Sequence, residues 1–502
     1  MLAVGLWGLD RDGMWRDEAV SFQVGRRTVP QIWLLLHDVD AVHGLYYLLM
    51  HAVLAVHPGE VVLRLPSVCA AAVTAGLVAA LGTRLARPRV GLWAGLLYAG
   101  APMAGHYAQE GRSYALVAAG ATGATLLFVR AVQGGSRRDW WAYGAVLGLT
   151  CWLHEFAVLL LCAHAGSLAL ARVGRAWRGW GCAAGGVVVS LLPMVLVSRG
   201  QAAQVAWLRR PTADTAEGLL RGFLGPAGGV YEVCLGLALV GLAGLVGRRG
   251  EVTLVGVGVP LTVVPPAVLM LASQVSPLYV DRYVLYALSG APLVVAAGAE
   301  RVAGVVGRLC SGGREGHSRL HPRLHSQSHL LPQSPLVTLA GVLAVALGFL
   351  HQLPLLRADR DPGSRADDLG AVSRVVGREL GGGDAVVFLP EDVRNVALAY
   401  PRAFRGVRDV ALVAGPAESG TLYGREAGPR EVRRRLARLD RVWVVADHDL
   451  LAGHGTPRNP VERAKLAVLN RDFTGQEPVL RDGTAVRLYV RSPLPVDPLP
   501  VD

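Results

Sequence analysis

The amino-acid sequence predicts a mainly α-helical membrane protein, a polytopic transmembrane bundle of about 11 spans that carries a small C-terminal α/β domain. Of its 502 residues, 52% are hydrophobic and only 18% are charged, and the mean hydropathy is +0.38. Apolar runs near the length of about 20 residues that crosses a bilayer recur before Arg357. After Arg357 the composition turns polar, and patterns typical of strands and amphipathic helices alternate.

The chain begins with an apolar run, Met1 to Leu9, that is too short to cross a bilayer, which predicts either a clipped start or a stub helix. A polar loop at about 10–43 follows, and the short aromatic run at 44–56 is suited to a helix lying at the membrane interface. Further spans are predicted at 65–85, 90–105, 113–132, 140–153, 156–171, 182–197, 231–246, 252–272, 284–306 and 336–353. The two short runs on either side of His154 leave open one long tilted helix with a polar kink.

Arginine residues concentrate in alternate loops, which predicts the orientation in the membrane. Because cytoplasmic loops are enriched in positive charge, the Arg-rich set is predicted to be cytoplasmic. That set comprises Arg84, Arg87, Arg89, Arg130, Arg137, Arg138, Arg172, Arg175, Arg178, Arg248, Arg249, Arg308, Arg314, Arg319 and Arg323. The loops of the other set carry most of the polar motifs described below, so these are predicted to lie on the external face.

The loop at about 311–334 is predicted to be a disordered cytoplasmic linker. It is rich in Ser, His, Gly and Arg, and four histidines recur at intervals of four residues: His317, His321, His325 and His329. On a helix these imidazoles would line one face and could bind a metal. Pro322 interrupts such a helix, and no acidic or Cys ligands accompany the series, which favours the linker.

Two domains are predicted, a membrane domain at 1–356 and an extracytoplasmic α/β domain at 357–502. Strands of the second domain are predicted at 385–389, 409–413, 441–446 and 485–490, and helices near 367–380, 429–439 and 461–469. The run Gly381-Gly382-Gly383-Asp384 precedes a strand, whereas loops that cradle phosphate follow one, so it is interpreted as a helix end and turn.

The formal net charge of +12 does not indicate a nucleic-acid partner, because the arginines are spread over alternate loops instead of forming one basic face. Basic residues are almost all Arg, with Lys465 as the only lysine, which hints at a GC-rich bacterial source. The six cysteines lie in or beside apolar runs and indicate no disulfide framework.

Asp17 and Glu18 form an adjacent carboxylate pair just after the apolar start. At an interface such a pair stays ionised only with a cation or hydrogen-bond donors nearby. One carboxylate could then act as a base while its neighbour holds a metal or a substrate group. The alternative is an acidic cap at the start of an exposed helix.

The densest polar motif between two apolar runs extends from His106 through Gln109, Glu110 and Arg112 to Tyr114. On a continuous helix His106, Glu110 and Tyr114 would share one face. A bidentate Arg112 could hold a phosphate there, with Glu110 fixing its guanidinium. A structural ion pair that closes an outer hairpin is the alternative.

Three further residues have polar chemistry at the same predicted face. Arg64 opens the first full span, either as a second anion contact or as an arginine snorkelling to the interface. Arg282 precedes a late span between two tyrosines. His154 interrupts an apolar stretch, where an ionisable group is costly unless it lies at the surface or in a cavity.

The order of these motifs resembles that of the GT-C membrane glycosyltransferases, in particular the family 39-like group related to protein O-mannosyltransferases and lipid A aminoarabinose transferases. The resemblance covers about Met14 to Leu353 and is most specific in Asp17-Glu18 and in the Gln-Glu-x-Arg-Ser-Tyr element that begins at Gln109. The family has a complete first helix where this chain has only a short run.

The resemblance implies an enzyme that transfers a sugar, for example a hexose such as mannose, from a polyprenyl-phosphate-linked donor to an acceptor on the outer face of the membrane, with inversion. It implies that Asp17 is the catalytic base and that Glu18 serves the acceptor or a metal. Arg112, with Arg64 and Arg282, would bind the donor phosphate. Supporting roles fall to His106, Gln109, Glu110, Tyr114 and His154.

The predicted partners are the polyprenyl-phosphate sugar, membrane lipid and an unspecified protein, glycan or lipid acceptor. No definite cofactor is predicted, and a divalent metal is left open, with Glu18 as its candidate ligand. A transporter or flippase of a lipid-linked or polar substrate is the alternative, although such proteins tend to show internal repeats and polar groups at the bilayer midplane. A membrane scaffold for the C-terminal domain would leave the carboxylates and arginines unexplained.

Overall fold

The computed structural model describes residues 1–11, 13–201, 207–312, 335–361, 367–481 and 483–493. Numbered along the chain, its α-helices are α1 (Leu2–Leu6), α2 (Arg16–Gly25), α3 (Val29–Asp38), α4 (Gly44–Val56), α5 (Glu60–Leu85), α6 (Pro88–Gly100), α7 (Pro102–Tyr107), α8 (Tyr114–Gly134), α9 (Arg137–Leu153), α10 (Leu160–Ala171), α11 (Ala176–Gly200), α12 (Ala213–Leu224), α13 (Val230–Gly241), α14 (Leu254–Ala272), α15 (Ala291–Gly312), α16 (Pro335–Asp359), α17 (Leu369–Glu379), α18 (Asn395–Ala399), α19 (Pro416–Ser419), α20 (Pro429–Leu436), α21 (His448–Leu451) and α22 (Pro460–Asp472).

The strands are β1 (Ala385–Leu389), β2 (Arg408–Asp409), β3 (Leu412–Ala414), β4 (Arg425–Glu426), β5 (Arg441–Asp447), β6 (Phe473–Gly475), β7 (Val479–Arg481) and β8 (Thr484–Arg491). Short 3₁₀ segments occur at Ala41–His43, Glu155–Leu159, Leu242–Gly244, Asp281–Gly290 and Glu391–Arg394.

The chain forms two compact units. The helical unit comprises Met1–Leu9 and Arg64–Asp359, and the mixed unit comprises Asp10–Leu63 and Arg360–Asp502. The predicted boundary near residue 356 therefore lies close to the boundary between the units. Residues 10–63, however, belong with the C-terminal region by their contacts.

Six helices in the described part of the chain are long and apolar enough to cross a membrane: Glu60–Leu85, Tyr114–Gly134, Ala176–Gly200, Leu254–Ala272, Asp281–Leu309 and Pro335–Asp359. Shorter apolar helices, which include Glu155–Ala171 and Val230–Gly244, account for others of the predicted spans. The mainly helical membrane fold with a small strand-containing C-terminal region is confirmed. The predicted number of about 11 spans exceeds the six helices that meet the criteria of length and composition.

Two predicted stretches of membrane-spanning helix are interrupted in the structure, one at a proline and one at a histidine. The span at 90–105 is broken between α6 and α7, because Pro102 has no backbone N–H and starts a new helix at its first turn. The apolar runs around His154 form separate helices, since His154 is extended (φ −164°, ψ 119°) and ends α9. The sequence alternative of one long kinked helix is therefore wrong.

The core of the helical unit runs through α8, α9, α10, α14 and α15. Close helix contacts use glycine, as between α13 and α15, where a Cβ at Gly298 would lie 1.8 Å from the carbonyl oxygen of Leu237. Small residues let apolar helices approach closely enough for dispersion contacts to hold them together in lipid.

A mixed sheet forms the centre of the mixed unit, in the order β2-β1-β5-β8-β6, with β7 also paired to β8. Strands β1 and β5 are parallel, and β5 and β8 are antiparallel with Arg441 opposite Val490. Strands β1, β5 and β8 confirm three of the predicted strands, and α17, α20 and α22 confirm the predicted helices. The predicted strand at 409–413 is divided between β2 and β3, which belong to different sheets.

The polar loop predicted at 10–43 contains two helices, α2 and α3, and is tied to the C-terminal region. Gln23 Nε2 donates to the carbonyl oxygen of Leu422 (2.7 Å), and Arg27 Nη2 donates to that of Thr421 (2.8 Å). The hydroxyl of Tyr400 accepts from Met14 N (2.7 Å). These long-range bonds have no periodic signal in the sequence. The division into domains at 1–356 and 357–502 stays a prediction. The proposed external location of the mixed unit stays a prediction.

The predicted linker at 311–334, with its four histidines, falls almost wholly at 313–334, outside the described residues. The predicted turn at Gly381–Gly383 is confirmed, with α17 ending at Glu379 and Gly383 at φ +95°. A positive φ is accessible to glycine at little steric cost.

Candidate active site

The predicted acid pair lies in the mixed unit, in the first turn of α2. Asp17 is half-buried, whereas Glu18 is fully buried. The positive end of the helix dipole stabilises carboxylates in a first turn. The pair therefore lies at a helix start, as the alternative of an acidic cap requires. Because Glu18 is buried, however, the pair is not an exposed cap.

Arg16 connects this helix start to acidic residues of the C-terminal region. Its guanidinium lies 3.5 Å from Asp392 and 3.8 Å from Asp367. Burial lowers the pKa of Arg16, but the charges of Asp367, Asp392 and Asp17 outweigh it and raise the pKa overall. The pKa of Tyr423 is raised by burial and then by Asp392, so its hydroxyl remains protonated.

In the helical unit, the motif that begins at His106 is not one continuous helix. Helix α7 ends at Tyr107 and α8 begins at Tyr114, so the predicted shared helix face is wrong. The intervening segment is fixed to α5, because the hydroxyl of Ser67 donates to the carbonyl oxygens of Glu110 (2.6 Å) and Arg112 (3.2 Å).

Gln109 fixes the other end of this segment. Its Nε2 donates to the carbonyl oxygens of Gly5 and Trp7, each at 2.8 Å. These two hydrogen bonds from the Gln109 side chain hold the short helix α1 in place. Gln109 is 3% exposed and has a structural role in these contacts.

His106 lies between two carboxylates. Its Nδ1 is 2.6 Å from Asp359 Oδ1, and its Nε2 is 3.2 Å from Glu110 Oε1. Partial desolvation lowers the pKa of His106, whose side chain is 44% exposed, but the hydrogen bonds to Asp359 and Glu110 outweigh it and raise the pKa to about 10. Among the described residues Glu110 pairs with this histidine, and not with Arg112 as the sequence suggested.

Arg112 and Arg282 come together around one tyrosine, Tyr114. The Cζ atom of each arginine lies 5.9 Å from the centre of the Tyr114 ring, and Arg282 Nε donates to the Tyr114 hydroxyl (3.2 Å). The His154 ring lies 5.9 Å from the same ring. We refer to Arg112, Tyr114, His154 and Arg282 as the basic cluster.

His154 belongs to the basic cluster as a neutral group. Its side chain is buried, and burial together with the charges of Arg112 and Arg282 lowers its pKa to about 3. A neutral imidazole can accept or donate one hydrogen bond without adding charge. Two guanidinium groups and a neutral imidazole form an environment that favours an anion.

Arg64 is buried, at 1% exposure, and its Nη1 donates to the carbonyl oxygen of Leu9 (3.0 Å). The alternative of a snorkelling arginine in contact with solvent is therefore wrong. Arg64 lies one turn before Ser67, which bonds the segment that carries Arg112. Arg64 is therefore on the same helix as the hydroxyl that fixes this segment.

A cavity of about 1060 Å³ opens beside the basic cluster. Arg282 is in its wall, and Arg209 and Arg210 add two further positive charges. His106, Asp281 and Asp359 supply polar and acidic groups. Its volume is slightly above the usual range of about 300–1,000 Å³ for small-ligand sites.

Within the described ranges, no group of three or more His, Cys, Asp or Glu side chains is arranged to hold a metal ion. The metal role considered for Glu18 stays a prediction. Several polar residues of these clusters were missed by sequence reasoning, namely Asp40, Asp359, Asp367, Asp392 and Tyr423. Asp40 lies in the same polar loop as Asp17, and the other four lie far in the chain from the motif that each neighbours.

A family model described as dolichyl-phosphate-mannose-protein mannosyltransferase matches residues 44–198. The apo crystal structure of ArnT from Cupriavidus metallidurans superposes with a TM-score of 0.62 at 14% identity, covering 97% of this chain and 96% of that one. This chain has the GT-C glycosyltransferase fold. The structure of ArnT from the same organism bound to undecaprenyl phosphate gives a TM-score of 0.53 at 12% identity, with the same coverage. No curated protein sequence shows a significant match.

The fold that the resemblance implies is thereby confirmed, and the helices of spanning length agree with the multi-pass membrane character. The glycosyltransferase class stays a prediction, because the matching family model covers less than a third of the chain. The matched residues 44–198 contain Arg64, Arg112 and His154, but neither Asp17 nor Arg282. The roles assigned to individual residues stay predictions.

Proposed function

We propose that this GT-C protein transfers a hexose such as mannose from a polyprenyl-phosphate-linked donor to an acceptor on the outer face of the membrane, with inversion. Asp17 is the base, and Arg112, Arg282 and Arg64 bind the donor phosphate. Glu18 serves the acceptor side.

The basic cluster is the observation that carries this proposal. Two arginines flank Tyr114, and His154 is kept neutral between them. A phosphate or phosphodiester placed there would receive charge-assisted hydrogen bonds, each worth about 1.5–3 kcal/mol. The adjoining cavity has room for a sugar.

The chemistry needs few protein groups. The acceptor hydroxyl attacks the anomeric carbon, the bond from that carbon to the phosphate oxygen breaks, and the hydroxyl proton passes to Asp17. Since polyprenyl phosphate already leaves as a stabilised anion, arginines can neutralise its developing charge, and no acid is needed to protonate the leaving group. Glycoside hydrolysis, by contrast, uses two carboxylates.

Two similarities support the donor class. The matching family model is described by a dolichyl-phosphate-mannose donor, and one of the similar ArnT structures is bound to undecaprenyl phosphate. The first similarity also supports mannose as the sugar. The acceptor is left unassigned by both.

The test is a transfer assay with purified full-length protein. A panel of polyprenyl-phosphate sugars, each with a labelled sugar, is incubated with membranes that supply acceptors. We expect label to pass from the mannose donor to a membrane acceptor. Label transfer from a different donor would show that the enzyme uses a sugar other than mannose. Movement of the donor across a vesicle membrane without transfer would favour the transporter or flippase alternative.

Location of the reaction is tested separately by fused reporters. A reporter placed after Arg357 should be external, and one within 311–334 should be cytoplasmic, because the intervening helix α16 is long and apolar enough to cross the membrane once. An external signal from the loop at 311–334 would contradict the orientation and move the site to the cytoplasmic face.

A further inference from the structure

A second apolar groove lies away from the candidate site, between α9 and α11. It has a volume of about 680 Å³ and opens at the surface, where Trp141 is 71% exposed and Leu149 is 60% exposed. Small residues form its floor, including Gly144, Gly148, Gly179 and Gly186. Indole rings contribute to its walls, from Trp140, Trp141 and Trp152.

The two helices run in the same direction along this groove. Gly144 faces Ala183, because a Cβ at Gly144 would lie 3.4 Å from the Ala183 Cβ, and Gly179 lies against the ring of Trp140. The N-terminal ends of α9 and α11 are therefore at the same end of the groove. Two helix N-termini side by side supply partial positive charge there.

Two arginines are at this end, Arg137 and Arg178. Both line the groove, both are exposed, and neither forms an ion pair with any residue that the structure describes. Asp139, the acidic residue in the first turn of α9, is 3.9 Å from Arg130. The groove thus has an apolar length and one strongly positive end.

We propose that this groove binds an anionic glycerophospholipid, with the phosphate on Arg137 and Arg178 and an acyl chain along the glycine floor. From Arg137 to Trp152 the groove follows 15 residues of helix, about 22 Å at 1.5 Å per residue. One leaflet of a bilayer core of about 30 Å is about 15 Å thick, so an acyl chain fits within this length. Basic pockets between membrane helices are suited to anionic lipid headgroups.

Binding is measured by native mass spectrometry on the full-length protein, purified in detergent and stripped of lipid. Phosphatidylglycerol and phosphatidylcholine with the same acyl chains are added in turn. We expect phosphatidylglycerol to bind at least about tenfold more tightly, and the Arg137→Gln/Arg178→Gln double variant to lose that preference. Equal binding of both lipids by the unmodified protein would overturn the proposal.

Matched variants separate the site from general surface charge. Arg138→Gln removes a neighbouring exposed arginine that does not line the groove, and it should retain the preference. Gly186→Leu leaves the charge unchanged and fills the groove, because a Cβ at Gly186 meets no atom within 4 Å. This variant should bind both lipids more weakly. A loss for Arg138→Gln as large as for the double variant would contradict a localised site.

A third lipid distinguishes the source of the phosphate. Undecaprenyl phosphate also presents an anionic phosphate, as a monoester instead of a diester, on a single isoprenoid chain. We expect it not to displace phosphatidylglycerol at equal concentration. If it displaces phosphatidylglycerol in the unmodified protein but not in the double variant, the occupant is the single-chain carrier and the glycerophospholipid assignment is wrong.

Discussion

Two clusters in this protein have opposite electrostatic character. The basic cluster of the helical unit joins Arg112 and Arg282 around Tyr114 with a neutral His154. The acidic cluster of the mixed unit, which we define as Asp17, Asp40, Asp392, Arg16 and Tyr423, has three carboxylates around one arginine and one tyrosine. The first is suited to stabilising a phosphate, and the second to holding carboxylates that can accept a proton.

The comparison shows how neighbours, rather than residue type, determine what a titratable group does. His106 and His154 are both in the helical unit, yet carboxylates raise the pKa of one to about 10 and arginines help to lower the pKa of the other to about 3. Opposite charges stabilise the protonated imidazole, and like charges disfavour it. The charge of the neighbouring residues therefore sets the protonation state of each imidazole.

Substitution of Asp17 by Asn should have the largest effect. It preserves shape and removes the proton acceptor, so we expect turnover to fall by roughly 10²–10⁴ while donor KM is largely retained. Asp38→Asn, an exposed acid at the end of α3, is the control and should keep normal activity. Near-normal turnover for Asp17→Asn would assign the base to Glu18 or make Asp17 structural.

Arg112→Lys tests the basic cluster. The change keeps the charge but loses the planar fork, and the loss of one charge-assisted hydrogen bond of about 1.5–3 kcal/mol should raise donor KM by roughly tenfold to a hundredfold. Arg130→Lys, at the other end of α8, should leave donor KM unchanged. If Arg112→Lys lowers only the thermal midpoint, with donor KM unaltered, Arg112 is not part of the phosphate site.

Tyr114→Phe should have a smaller effect of the same kind. It keeps the ring between the two arginines but removes the hydroxyl that accepts from Arg282. With about 1 kcal/mol lost in the positioning of Arg282, we expect donor KM to rise about fivefold and kcat to change little. A change in kcat alone would place Tyr114 in the chemical step instead.

The pH dependence of stability should show the smallest effect. Since the pKa of His106 is raised from 6.5 to about 10, its pairing stabilises the fold fully below pH 6.5, and this contribution is lost as pH rises through 10. The imidazole is 44% exposed, so solvent screening leaves a fall of about 1–2 °C in thermal midpoint. His106→Gln should lack this fall.

His154→Gln is the control for that measurement. Because the pKa of His154 is lowered to about 3, this histidine is neutral throughout the range from pH 6.5 to 10. In His154→Gln, the thermal midpoint should therefore change with pH as much as it does in the unmodified protein. An equal change in this pH dependence for both variants would show that the dependence arises elsewhere.

The sequence by itself determined the class of fold and much of the local structure. The bilayer core offers backbone N–H and C=O groups no partners, so a spanning segment forms a helix and is apolar over its whole length. Such segments can therefore be recognised from composition alone. Strands β1, β5 and β8 follow from short apolar runs, and α20 follows from its amphipathic pattern. The motifs with Asp17 and Arg112 were also visible, since polar residues stand out between apolar runs.

Only the tertiary structure decided which residues meet. The pairing of His106 with Asp359, the approach of Arg282 to Tyr114 and the joining of α2 to the C-terminal region each link residues more than a hundred positions apart. Such contacts carry no periodicity, because each depends on how whole helices pack. The charge state of a buried imidazole depends on those same neighbours, so the opposite behaviour of His106 and His154 could not be predicted from the residues that flank them in the chain.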